Sequence, residues 1–80
     1  MKVNILGTDY EIILKNHLED ESFERNKIDG YCNGYTKEII VCDLKTKESW
    51  KYETINSIKQ AQKLILRHEI VHAFLNESGL

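Results

Sequence analysis

The sequence predicts an α+β fold, a small antiparallel sheet of two β-hairpins packed on one long C-terminal helix. Three observations predict it. β-branched and aromatic residues gather in short runs up to Asp43, turn-forming pairs such as Gly7-Thr8 and Asn33-Gly34 punctuate those runs, and from Ile58 onward apolar residues recur at helical spacing. With 80 residues, no proline, no repeat and no low-complexity tract, the chain makes a single domain spanning 1–80.

Val3 and Ile5 alternate with Lys2 and Asn4, Gly7-Thr8-Asp9 offers a turn, and Tyr10 to Lys15 resumes with Ile12, Ile13 and Leu14. That is the first hairpin. Asn16 to Asn26 is mostly charged, with Leu18 and Phe23 as its large apolar anchors and room for one or two helical turns. Asp29-Gly30 reads as a turn before the extended Tyr31-Cys32. Asn33-Gly34 is the pair that tight hairpin turns prefer, and a longer loop over Asn33 to Lys37 is the alternative. Glu38-Ile39-Ile40-Val41-Cys42 is the strongest strand signal, and its register against Tyr31-Cys32 stays open. Lys45, Lys47 and Lys51 alternate with Asp43, Glu48 and Glu53, the pattern of a solvated turn.

The last third is helix. Thr54 or Ser57 can cap its start, and Ser57-Ile58-Lys59-Gln60 fits a capping box. Ile58, Ala61, Leu64, Ile65, His68, Val71, His72 and Leu75 form the expected core-facing stripe, and Gly79 is a natural stop. Roughly 22–25 residues at 1.5 Å rise make a helix of about 35 Å.

Composition narrows the function. Hydrophobic content of 41% with 30% charged residues is ordinary for a globular protein, and a net charge of −2 argues against nucleic acid or an anionic membrane as partner. The longest wholly apolar runs, Ile39 to Cys42 and Leu64 to Leu66, are too short for a bilayer. The N-terminus lacks the apolar core of a signal peptide, so a cytoplasmic location is expected. There Cys32 and Cys42 form no disulfide framework and act as small buried hydrophobes. A chain this short buries around 60% of its unfolded surface, and such domains often draw stability from a metal or a partner.

The helix carries His68-Glu69-Ile70-Val71-His72. Histidines four apart project from one helical face, so both imidazoles can reach one Zn²⁺. Glu69, beside His68, is placed to take a proton from a water that the metal acidifies as that water attacks a peptide carbonyl. The order histidine, glutamate, histidine on a helix is what that chemistry needs. Such a pattern arises by chance in well under about 1% of chains this short at ordinary residue usage. Metal binding therefore outweighs a coincidental surface turn.

Around the motif, Leu66-Arg67-His68-Glu69-Ile70-Val71-His72-Ala73-Phe74-Leu75 resembles the active-site helix of small zincin-like metallopeptidases. Asp29 to Asn33, a turn, and Lys37 to Val41 resemble the region upstream of it. The chain is broadly similar to the ImmA/IrrE peptidase type and to short proteins of phages and prophages of Gram-positive bacteria. The resemblance implies a minimal zincin-like domain that hydrolyses peptide bonds of a protein or peptide substrate. His68 and His72 would be its zinc ligands and Glu69 its catalytic base. It also implies an edge strand at Glu38 to Cys42, with Ile39, Ile40 and Val41 pairing with extended substrate.

Zincins normally take a third ligand well downstream of the second histidine. Here Glu77 is the sole acidic candidate, and on a continuing helix it points about 140° away from His72. Three sources are open: a part of the family's fold that follows Gly79-Leu80, which the resemblance favours; an upstream Cys32, Cys42 or Asp43; or a second copy, which would also cover the long helix in a homo-oligomer. A closed structural site of Cys32, Cys42, His68 and His72 is the weaker pattern, because its cysteines are too far apart in sequence. A metal-binding or interaction module without catalysis is the rival reading. His17 is expected on the surface, Arg67 paired with Glu53 or Glu77, and Trp50, Tyr52, Tyr31 and Tyr35 in the sheet–helix interface rather than a substrate groove.

Overall fold

The computed structural model describes residues 1–79. Its strands are β1 (Lys2–Ile5), β2 (Thr8–Asn16), β3 (Gly30–Asn33) and β4 (Glu38–Asp43). A short helix α1 (Glu21–Arg25) lies between β2 and β3, and the 23-residue α2 (Ile55–Glu77) ends the fold. Single 3-10 turns at His17–Glu19, Leu44–Thr46 and Glu48–Trp50 fill the connections.

β1 and β2 form a hairpin whose turn is Leu6-Gly7, one residue ahead of the expected Gly7-Thr8-Asp9, because Ile5 pairs with Thr8. Both turn residues have positive φ, 49° and 89°, the combination that matches the twist of a two-residue hairpin. β3 and β4 are antiparallel, with Tyr31 opposite Ile40 and Cys32 opposite Ile39. Their connection is the longer loop, in which Asn33 Oδ1 accepts the amides of Tyr35 (3.0 Å) and Thr36 (3.2 Å).

The four strands make one mixed sheet in the order β1-β2-β4-β3, with β2 and β4 parallel. The expected antiparallel sheet of two hairpins is thus corrected. β4 sits inside the sheet, between β2 and β3, because it is the strand best suited to burial on both faces. Ile39 and Val41 face α2 together with Ile5, Tyr10 and Ala73, while Ile40 and Cys42 pack under Phe23 of α1. These four β4 residues are at most 3% exposed. Ile39, Ile40 and Val41 therefore have no free edge to offer a substrate; their edges are occupied by β2 and β3.

Gly30 opens a strand rather than a turn: the preceding Asp29 carbonyl already accepts the Cys42 amide at 2.8 Å. A Cβ at Gly30 would lie 2.9 Å from both the Ile40 carbonyl oxygen and Ile65 Cγ2, so glycine is what lets α2 close on β3.

Thr54 caps α2, accepting the Ser57 amide on Oγ1 at 3.1 Å, so Ser57 lies inside the first turn and the capping box expected from it does not form. Gly79, with φ 80°, follows the last turn as expected. The face of α2 that meets the sheet is Ile58, Ile65, Leu66, Glu69, Ile70 and Ala73. Leu64, His68, Val71, His72 and Leu75 point to solvent, so the expected core stripe is rotated by part of a turn. The aromatic expectation is corrected too: Tyr35 and Tyr52 are fully solvent-facing, Tyr31 joins Phe23 on the opposite sheet face, and Tyr10 fills the interface instead. Among the described residues no helix is long and apolar enough to cross a membrane.

Candidate metal centre

On α2 the side chains of His68 and His72 converge: their Nε2 atoms are 3.1 Å apart and their rings meet edge to face. Two nitrogens bound at 2.0–2.1 Å to one tetrahedral ion stand about 3.3 Å apart, so the pair fits a single Zn²⁺ with little movement. The same separation suits an N–H···N hydrogen bond between the rings when one donates. Both imidazoles are exposed.

Glu69 follows His68 in sequence but turns about 100° around the helix toward the sheet. It is 7% exposed, the one buried charged side chain among the described residues. Burial holds its carboxyl above the ordinary range, and the neighbouring His72 and His68 partly oppose that shift. An upward shift favours a carboxylate that must accept and then return a proton near neutral pH.

Two cavities meet at this point. One, of about 470 Å³, opens toward Tyr31, Cys32 and Asn76; the other, of about 340 Å³, opens toward Asp29, Leu64 and Ile65. They share Ile28, Gly30, His68 and Glu69, so together they form a groove between β3 and α2 with the motif at mid-length. The groove follows a sheet edge. Since the Cys42 amide bonds Asp29, alternation turns Tyr31 and Asn33 toward β4 and leaves the peptide groups of Gly30 and Cys32 facing outward. The edge expected at β4 is thus found at β3. A glycine inside a strand signature, rather than at a turn, was the available signal.

The other candidate ligands separate. Cys32 lines the groove, half-buried, with its thiol pushed up by burial and by Glu69. Cys42 lies in the core on the opposite sheet face, its thiol raised to about 11 by burial. Asp43 accepts the Lys45 amide at 3.2 Å past the end of β4. Glu77 is bound by Thr8 Oγ1 (2.7 Å), Tyr10 Oη (2.6 Å) and Lys37 Nζ (2.7 Å), which holds its carboxyl down to about 2. It pins the end of α2 to the sheet and does not face the imidazoles. Among the described residues no three His, Cys, Asp or Glu side chains are grouped closely enough to hold an ion.

His17 stacks on Phe23 on the far side of the sheet, half-buried rather than on the surface. Arg67 makes no ion pair among the described residues; Lys37 takes the Glu77 partnership expected of it. Compared with known families, curated proteins and solved structures, the chain matches no family model, no curated protein and no solved structure.

Proposed function

We propose that this protein is a zinc-dependent peptidase of zincin type, acting on an extended segment of a protein substrate. The convergence of His68 and His72 beside buried Glu69, midway along an open groove, carries the reading. His68 and His72 would hold the metal through Nε2. When bound, Zn²⁺ supplies Lewis acidity that polarises a carbonyl and acidifies water. Glu69 accepts the proton from the attacking water and delivers it to the leaving amine, a task its burial favours. The outward amides and carbonyls of Gly30 and Cys32 bond the substrate backbone as an added strand, which holds the scissile peptide across the motif. The open ends of the groove suit cleavage within a chain rather than at a terminus.

The exposed Leu64, Val71 and Leu75 lie on the imidazole side of α2 and mark where a second copy would deliver a third ligand; within the chain, Cys32 lines the same cavity as both imidazoles. A metal-binding module without hydrolysis is the second reading, favoured by the engagement of Glu77 elsewhere.

Cleavage of denatured casein by zinc-loaded protein tests the proposal. The expected result is hydrolysis that Glu69→Gln abolishes while retaining zinc; zinc-loaded wild type with no cleavage of any substrate in a broad panel supports the module reading instead.

A further inference from the structure

A tetrahedral ion takes four ligands, and His68 and His72 fill two of the positions. Both imidazoles are exposed, and on the same side of α2 Leu64, Val71 and Leu75 are 62%, 56% and 39% exposed. This stripe is close to symmetric along the helix. Counted from Ile70, the histidines lie two residues to either side, Leu64 six before and Leu75 five after. At the rise of an α-helix the leucines stand about 9 Å and about 7.5 Å from the level of Ile70.

A surface with that pattern is complementary to itself. Two copies of α2 crossing antiparallel, with a twofold axis at the level of Ile70, bring His68 of each to His72 of the other. The same operation sets Leu64 of each against Leu75 of the other. Arg67 is the one exposed charged side chain between the leucines. Its two copies fall about 9 Å apart along the helix, beyond a Debye length of about 8 Å, so their repulsion is largely screened.

Apolar contact alone does not hold such a pair. Three apolar side chains a copy are few against the roughly 20–30 residues a side of a stable interface. Association therefore waits on the metal.

We infer that zinc joins two copies of this chain through α2, with His68 and His72 of each copy completing one four-histidine site. The inference rests on the reading of these histidines as zinc ligands and goes beyond it in naming the partner and the regulation. Four imidazoles close the coordination sphere, as in structural zinc sites, and leave no position for water. The second helix also covers the mouth of the groove, because both imidazoles line its larger cavity. The dimer is thus a closed form. It holds one ion per two chains, so excess zinc gives each chain its own ion and dissolves the pair by mass action. Limiting zinc makes a silent dimer and abundant zinc an open monomer.

The test is sedimentation equilibrium of the full, tag-free chain in EDTA, at half an equivalent of zinc, and at roughly tenfold excess. The masses expected are those of one chain, two chains and one chain. Metal analysis should find one ion per two chains in the dimer and one per chain in excess. His72→Ala is expected to lose the dimer. Leu64→Lys, at an exposed position, is expected to weaken it roughly tenfold and still take one ion per chain in excess. A monomer at every ratio that binds one ion per chain overturns the inference and leaves the peptidase reading standing. A chain that binds no zinc overturns both. A dimer already present in EDTA, one that survives His72→Ala, or one that Leu64→Lys leaves unchanged also overturns the inference.

Discussion

His68 Nε2 and His72 Nε2 stand 3.1 Å apart on the solvent side of α2, while Glu69 between them is buried against the sheet. One turn of helix thus splits its polar residues by role. The imidazoles are free to meet an ion and the carboxylate is held in a poorly solvated place. A carboxylate there costs stability, a cost that the proposed role as a base would account for.

Glu69→Gln should therefore stabilise the metal-free protein at neutral pH. A neutral amide of the same shape removes the charged group without opening a cavity. The expected gain is about 1 kcal/mol or less, read as a rise in Tm of a few degrees. A fall in Tm would mean that the carboxylate is held by a favourable interaction.

Added zinc should stabilise the wild type through the imidazole pair. At roughly a hundredfold excess over Kd, binding contributes about 2.7 kcal/mol, a Tm increase of about 10 °C or more for a domain of this size. His68→Ala and His72→Ala, both at exposed positions, should leave the metal-free Tm within a few degrees and abolish the zinc response.

Gly30→Ala should destabilise by about 1–3 kcal/mol in chemical denaturation, because the added methyl meets the Ile40 carbonyl and Ile65. The same methyl lies 3.4 Å from Glu69 Cγ, so hydrolysis should fall more than the loss of folded protein explains. An effect near zero would contradict the close approach of α2 to β3.

Glu77 links stability to acid. Its carboxyl is held down to about 2, against an ordinary 4.5, first by Lys37 and then by Tyr10 and Thr8. A depressed carboxylate contributes stability that is present above its unfolded pKa and lost as pH falls through the folded one. Thermal melts should show a decline between pH 4.5 and about 2 that Glu77→Gln flattens, and that variant should melt lower at neutral pH. Unchanged curves would remove Glu77 as the pin of the helix end.

Much of the fold is legible in local pattern. The helix, both antiparallel strand pairs and the charged turns after β2 follow from spacing and turn chemistry. The parallel pairing of β2 with β4 does not, since it joins segments far apart in sequence and has no turn to announce it. A hint was present in Ile39 to Cys42, whose unbroken apolar run suits burial on both faces better than an edge. The rotation of α2 was hidden because two stripes compete. Leu64, Val71 and Leu75 look as apolar as Ile58, Ile65 and Ala73, and Glu69 argues against the face that is in fact buried. Of the site, the histidines and Glu69 are visible as a motif. The β3 edge is not, because Gly30 reads equally well as a turn until α2 is seen lying against it.

The proposed centre is one zinc held by His68 and His72 beside a carboxylate, that of Glu69, that does not ligate. Calorimetric zinc titration of tag-free protein, run on the wild type, His72→Ala and Glu69→Gln, tests it most directly. Saturable binding of zinc by the wild type, its loss in His72→Ala and its retention in Glu69→Gln are expected. Absence of zinc binding in the wild type, or binding that survives His72→Ala unchanged, would contradict it.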